Sequence, residues 1–443
     1  MNTPIVDFLQ KYNNSNSVRL HMPGHKGKIA GTSYDITEIS GADSLFDACG
    51  IIDESENNLS KLYNTLFSLY STEGSTLSIK TMLALVYKYA KNNGKKPLIL
   101  AERNVHSSFL YGVGLLDIQV EWIEDERQNL FSSNLTAKTV EEKLKSMQEK
   151  PTALYLTSPD YLGNILPIKE IVSVCKKHNV LLVVDNAHGA YFNFLKENIH
   201  PINLGADMCA DSAHKTLPTL TGGGYLHLNK RFDYFSKSDV KRIMKTFAST
   251  SPSYLILSSL DSTNKYLFKE KNAFIQCEEK VEKLKQFCLN LGFDLVGEEK
   301  LKITLDCKSF GYFGTDIASL LEKQNIVVEY FDKDYVILMF SPLNTDSDFD
   351  KIKCVFKGIE RKKEIKKADL IFSIPQRKMS IKDALFSNEE RVEVEKANGK
   401  IISSISVSCP PAIPLIFSGE VVDENTIKIL QYYGIKDCQV VKE

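Results

Sequence analysis

Between about residue 70 and residue 212 the chain alternates short apolar runs with segments of helical period, and few architectures accept that pattern. Residues 97–101, 118–122, 152–157 and 180–185 are strand length, and residues 105–115, 140–148 and 168–178 between them carry apolar side chains at helical spacing. Another helical run opens at Gly74-Ser75-Thr76 and continues through Met82, Leu85, Val86 and Tyr89; residues 205–212 hold a further short buried element. Apolar runs that do not alternate with polar residues must be covered on both faces. The pattern therefore predicts an α/β fold with a mainly parallel central sheet between helices. In such sheets ligands gather at the carboxyl ends of the strands, where small polar residues follow the runs of this chain.

The flanking regions are less regular. Residues 5–13 and 55–69 read as helices, the second from the spacing of Leu59, Leu62, Leu66 and Leu69. A charged helix is predicted over 267–291, long enough to link two domains. Beyond it, strands at 301–305, 326–330 and 335–340 with helices at 316–323 and 346–361 predict a smaller α+β unit. A further strand is expected at 401–407, and the charge run at 361–367 reads as a solvated helix face. The expected division is an amino-terminal arm and interface segment at 1–60, a large domain at 61–265, a linking helix region at 266–300 and a small carboxyl-terminal α+β region at 301–443.

Composition excludes more than it names. Lys and Arg number 55 against 56 Asp and Glu, a formal charge of -1, which argues against nucleic acid or an anionic membrane as a partner. The apolar runs fall far short of the about 20 residues a membrane-spanning helix needs. The opening residues lack the basic flank and apolar core of an export segment. Nine cysteines scattered without a CxxC pair read as reduced thiols in a cytoplasmic protein, and no metal site is expected from them.

The chemistry concentrates at Ala210-Asp211-Ser212-Ala213-His214-Lys215-Thr216-Leu217, followed by Thr221-Gly222-Gly223-Gly224. A lysine among Ser, His and Thr, just before glycines, can form a Schiff base with a phosphate held nearby. Thirty residues upstream, Val183-Val184-Asp185-Asn186-Ala187-His188 ends a strand on a carboxylate. Asp185 can pair with a pyridinium nitrogen and keep it protonated, which makes the ring an electron sink. Gly74, Ser75 and Thr76 open a helix, a position suited to a phosphate. Each piece also has an ordinary reading: a strand-end aspartate caps turns, a lysine faces solvent, and Ser75 or Thr76 caps its own helix. Together they point to pyridoxal phosphate.

The chain resembles the Orn/Lys/Arg decarboxylase family, fold-type-I pyridoxal-phosphate enzymes that act on basic amino acids. The resemblance runs through His21-Met22-Pro23-Gly24-His25-Lys26-Gly27, then Asp35 to Phe46, then Glu102-Arg103-Asn104-Val105-His106-Ser107. It is strongest over Asp185-Asn186-Ala187-His188-Gly189-Ala190 and Ser212-Ala213-His214-Lys215-Thr216-Leu217-Pro218. It continues at Pro410-Pro411-Ala412-Ile413-Pro414 and Ser418-Gly419-Glu420.

The resemblance implies a fold-type-I, transferase-like large domain in which Lys215 holds the cofactor, Asp185 faces the pyridine nitrogen and His106 stacks on the ring. Gly74, Ser75, Thr76, Ser212 and His214 would contact or support the phosphate, and His188 would lie close to the cofactor. It implies a homodimer acting on arginine, lysine or ornithine. A basic head group needs acids at the far end of its pocket, and Glu38, Asp43 and Glu329, from the arm and the small domain, are candidates. The chain departs from the family pattern at Asn186 (often Glu), Glu73 (commonly Asn), Ser107 (commonly Lys), Ala412 (usually Gly) and Cys409 (commonly aromatic). An aminotransferase or lyase on the same cofactor, or a noncatalytic protein that keeps the fold, are the competing readings.

Overall fold

The computed structural model describes residues 1–123, 131–370, 372–404 and 412–442. Thirteen strands occur among the described residues. In chain order they are β1 (Phe67–Ser71), β2 (Leu98–Ala101), β3 (Gln119–Trp122), β4 (Ala153–Thr157), β5 (Leu181–Asp185), β6 (Met208–Asp211), β7 (Gly224–Leu228), β8 (Asp294–Val296), β9 (Lys302–Asp306), β10 (Tyr330–Phe331), β11 (Tyr335–Met339), β12 (Glu389–Glu393) and β13 (Asp437–Val441). The chain divides into two compact units that interleave in sequence: residues 1–97, 150–156 and 168–274, and residues 98–149, 157–167 and 275–443.

In the first unit the strands lie in the order β1-β7-β6-β5-β4. β5 and β6 pair in parallel, with Asp185 beside Ala210, whereas β7 returns antiparallel to both β6 and β1. The parallel strands are apolar along their length, as burial on both faces requires. Helix Gly74–Asn92 covers β6 and β7 with a face that includes Leu77, Met82, Leu85 and Val86, all fully or almost fully buried. The parallel register places the ends of β5 and β6, and the loops after them, at one edge.

In the second unit β2 and β3 pair in parallel. A four-stranded antiparallel sheet runs β10-β11-β9-β8, and β12 pairs with β13. The carboxyl-terminal part has its own core of Val394, Ile402, Ile416, Val422, Leu430 and Val440. The mainly parallel α/β sheet and the smaller α+β region are as the sequence predicts. No helix among the described residues is long and apolar enough to cross a membrane.

Several elements differ from their sequence reading. The helix expected over 55–69 is Ile51–Tyr63, stopped by Asn64 in a left-handed conformation (φ 57°); Leu66 and Leu69 follow it into the approach to β1 and into β1 itself. The leucine spacing therefore bridged two elements. The long helix at 267–291 is two helices, Tyr254–Lys269 and Ala273–Asn290. The run at 361–367 is not helical: Gly358 closes helix Asp346–Lys357, and the amides of Lys362 and Ile365 donate to the carbonyls of Phe310 and Lys308. Of 326–330 only Tyr330 enters a strand. Ile401 and Ile402 make isolated bridges and Ser403 and Ser404 lie outside any strand, while residues 405–407 of that expected strand, with Cys409, Pro410 and Pro411, lie outside the described residues.

Candidate functional site

β6 ends on Asp211, and the chain turns through Ser212 into the short helix Ala213–Thr216, which carries Lys215. The Lys215 Nζ lies 3.0 Å from His188 Nε2. The backbone N–H and Nδ1 of His214 both meet the Gly223 carbonyl, at 3.1 and 2.8 Å. Glycine is required at 224, because a Cβ there would sit 2.8 Å from the Gly74 carbonyl carbon and 3.0 Å from the Asp211 oxygen. The start of helix Gly74–Asn92 can therefore lie directly against the end of β6.

Asp185 ends β5 and is 1% exposed. Its Oδ1 accepts the Ala187 amide at 3.1 Å and its Oδ2 accepts the Tyr155 hydroxyl at 3.3 Å. Burial pushes the carboxyl up to about 6, against the opposing pull of the Lys215 charge. A buried carboxylate of this kind is stabilised by a cation, and a ring N–H⁺ is one. His188, three residues on, is 5% exposed.

The third component is the amino-terminal end of helix Gly74–Asn92. Gly74 takes φ 64°, its amide donates to the Gly222 carbonyl at 2.7 Å, and Ser212 Oγ donates to Ser75 Oγ at 2.7 Å. Thr76 follows in the first turn. A 19-residue helix beginning beside two hydroxyls is a ready anion site. Glu73, which replaces the commoner asparagine, accepts the Ser249 amide at 2.8 Å.

Lys215, His188, Asp185, Ser212, His214, Gly74, Ser75 and Thr76 thus all lie in the first unit. His106 belongs to the second. There it caps helix Ser107–Leu116: its Nδ1 accepts the Ser108 amide at 3.1 Å and lies 2.8 Å from Ser108 Oγ. The Ser107 amide donates to the Ala412 carbonyl at 3.0 Å.

The candidate head-group acids fare differently. The Asp43 carboxylate accepts amides of Ser44, Cys49, Gly50 and Ile52 at 2.8–3.1 Å, so it is committed to the start of helix Ile51–Tyr63. Glu38 is exposed and accepts its neighbour Thr37. Glu329, in the second unit, accepts the Tyr161 hydroxyl at 3.4 Å. Sequence reasoning missed Tyr155, whose place inside a uniformly apolar strand gave no sign of a polar partner.

An amine, a buried carboxylate that answers to its charge, and a helix start bearing hydroxyls match the aldehyde, ring nitrogen and phosphate of pyridoxal phosphate. The donor set fits that group.

Comparison with known proteins agrees. Residues 3–297 match the family model Orn/Lys/Arg decarboxylase, major domain, and residues 368–438 match Orn/Lys/Arg decarboxylase, C-terminal domain. An arginine decarboxylase of Bacillus subtilis is 28% identical over 464 residues, covering 97% of this chain and 93% of that protein. An arginine decarboxylase of Halalkalibacterium halodurans is 27% identical over 470 residues, covering 97% and 93%. Among solved structures, the constitutive lysine decarboxylase of Escherichia coli superposes with a TM-score of 0.75 at 17% identity, covering 100% of this chain and 82% of that one. The serine palmitoyltransferase of Sphingomonas wittichii superposes at 0.57 with 15% identity, covering 81% and 83%. These superpositions show a fold-type-I architecture. With two family models matched in order along most of its length, the chain belongs to the Orn/Lys/Arg decarboxylase family.

Proposed function

We propose that this protein removes carbon dioxide from a basic L-amino acid (arginine, lysine or ornithine) to give the corresponding amine, with pyridoxal phosphate as cofactor. The observation that carries the proposal is the Lys215–His188 contact of 3.0 Å beside a buried Asp185 that feels the lysine charge. When bound, the cofactor supplies a sink for the electron pair left at Cα as carbon dioxide departs.

The chain's own residues do the rest. Lys215 would hold the cofactor through its amine. Asp185, held in orientation by Tyr155 and the Ala187 amide, keeps the ring nitrogen protonated. Ser75, Ser212 and the helix start at Gly74 and Thr76 hold the phosphate, and His214 fixes the glycine loop behind them. His188 Nε2 accepts a proton from Nζ, which gives the lysine amine a local route to lose and regain the proton Cα requires.

Relatives matched over most of the chain and named arginine decarboxylase support arginine as the first substrate to try. A homodimer is the expected assembly.

The test is amine formation from L-arginine, L-lysine and L-ornithine by cofactor-loaded protein, with Lys215→Ala as the matched control. Amine from at least one substrate, abolished in Lys215→Ala, is expected. A cofactor-loaded wild type that forms no amine from any of them defeats the substrate assignment, and full turnover by Lys215→Ala defeats the assignment of the lysine.

A further inference from the structure

Behind the loop that carries Asp185 and His188 lies a cluster the chemistry above does not use. Asp211, Asn186, His200 and His227 are each 0% exposed. His200 Nε2 and His227 Nε2 both meet Asp211 Oδ2, at 3.0 and 3.1 Å, while Asn186 Nδ2 donates to Asp211 Oδ1 at 2.8 Å. Each ring also has a partner on its far side. His200 Nδ1 accepts the Ile202 amide at 3.3 Å, and His227 Nδ1 lies 2.7 Å from Ser68 Oγ. With Nδ1 accepting the Ile202 amide, His200 presents an Nε2–H to the carboxylate, and the ionised carboxylate asks the same of His227 Nε2.

The charge of this cluster centres on Asp211. Burial alone would raise the Asp211 carboxyl, but the two histidines outweigh it and bring it well below the usual range. Burial lowers His227. Tyr63, Tyr225 and Cys209, which also surround Asp211, are driven upward first by burial and then by the Asp211 charge, so they stay neutral. Asp211 is therefore a buried anion held by the two imidazoles and the Asn186 amide. The ligand-type atoms of His200, Cys209 and Asp211 lie within 4.8 Å of one another. Their protons are already directed at the carboxylate, however, and we read the group as a hydrogen-bonded anion.

Its connections run to the site. Asp211 immediately precedes Ser212, whose hydroxyl reaches Ser75. Asn186 immediately follows Asp185; its amide donates to the Ala210 carbonyl at 2.9 Å and its carbonyl accepts the Gly189 amide at 2.8 Å. A Cβ on Gly189 would fall 2.0 Å from Asn186 Oδ1, so the asparagine side chain is packed directly under the turn that carries His188. A glutamate at 186, the commoner residue in the family, would set a second carboxylate against Asp211. The asparagine supplies the N–H that the anion requires.

We propose that Asp211 is a positioning residue of the cofactor site: through Asn186 it fixes the 185–188 turn, and its buried negative charge stabilises the cation on the bound cofactor. This rests on the reading that the protein binds pyridoxal phosphate. A fixed anion favours the protonated form of a nearby group, so its removal lowers the pH at which the bound chromophore loses its proton.

The test titrates pyridoxal 5′-phosphate into full-length protein, follows the visible absorbance of the bound form against pH, and records thermal unfolding alongside. Asp211→Asn is expected to weaken cofactor binding roughly tenfold, the loss of one buried charged hydrogen bond. It is also expected to move the chromophore transition down by about half a pH unit or more. The exchange Asn186→Asp with Asp211→Asn, which restores one anion and one amide to the contact, is expected to recover much of both. Ser68→Ala removes the hydroxyl that meets both His227 Nδ1 and Thr65 Oγ1, and it decides the matter if Asp211→Asn does not fold; its shift is smaller and in the same direction. Variants with altered unfolding temperature but wild-type affinity and chromophore overturn the inference alone. Wild-type protein that takes up no cofactor overturns both the inference and the functional reading beneath it.

Discussion

Arg103 and Glu420, 317 positions apart in sequence, form a doubly bonded ion pair in the second unit, Nη1 to Oε1 at 2.5 Å and Nη2 to Oε2 at 2.8 Å. Their side chains are only 3% and 2% exposed. The guanidinium also lies 3.9 Å from the Phe417 ring centroid, and the Phe417 amide donates to Glu420 Oε2 at 2.9 Å. Two segments that the sequence marks separately are thus one structural unit, and the pair anchors the chain three residues before His106.

Removing one partner of such a pair leaves a buried charge without its counter-ion, at a cost of about 3–5 kcal/mol. Glu420→Ala is therefore expected to lower stability by that order in urea unfolding. The double variant Arg103→Met with Glu420→Ala should regain a substantial part of it. A double variant no more stable than Glu420→Ala would show that the stranded arginine is not the source of the loss.

Ala412 sits at φ 55°, where a Cβ is disfavoured, while its carbonyl holds the Ser107 amide beside His106. The left-handed conformation costs a non-glycine residue about 1–2 kcal/mol, partly offset because glycine is freer in the unfolded chain. Ala412→Gly is expected to raise stability by about 0.5–1 kcal/mol. Differential scanning calorimetry on the pair of proteins measures it, and a lowered transition temperature would contradict the strain assigned to this position.

The parts legible in sequence were those governed by local rules. Uninterrupted apolar runs at β4 and β5 announced a covered sheet, and the order Asp185, then Lys215, announced a cofactor chemistry before any distance was known. What stayed hidden was fixed by partners far along the chain. Leu69 fits a helical stripe, yet it pairs with Leu226 in a strand. Asp211 reads as one more strand-end acid, because nothing local says that His200 and His227 converge on it. Asp43 looked available to a substrate and is instead consumed by amides that follow it in the next turn.

Asp43 makes that last contrast measurable. Burial works to raise its carboxyl, but the amides of Cys49, Gly50, Ser44 and Ile52 prevail and lower it. A folded value below the unfolded one means stabilisation that is present above the unfolded value and lost as the pH falls through the folded one. Asp43→Ala is expected to cost about 1–2 kcal/mol at pH 7, as removal of a helix cap does. The gap between wild type and variant should close on acidification below about pH 4. A gap independent of pH would assign the loss to packing instead.

Asp185 has the opposite sign. Its carboxyl is raised to about 6, first by burial and despite Lys215, so the cofactor-free fold binds this proton more tightly than the unfolded chain does. The ionised side chain thus destabilises the empty protein fully above the folded value, and the penalty fades as the pH falls from about 6 toward the unfolded value near 4. Asp185→Asn keeps an oxygen for the Ala187 amide and an N–H for the Tyr155 hydroxyl while removing the charge. Without cofactor it is expected to be more stable than wild type at pH 7.5 by on the order of 1–3 kcal/mol, and by less at pH 5. With pyridoxal phosphate present the order should reverse, because only the wild type offers an anion to the ring nitrogen and gains the corresponding binding free energy. Thermal unfolding of both proteins at the two pH values, with and without cofactor, measures all four differences; an asparagine variant that gains as much from the cofactor as wild type would remove Asp185 from the ring nitrogen.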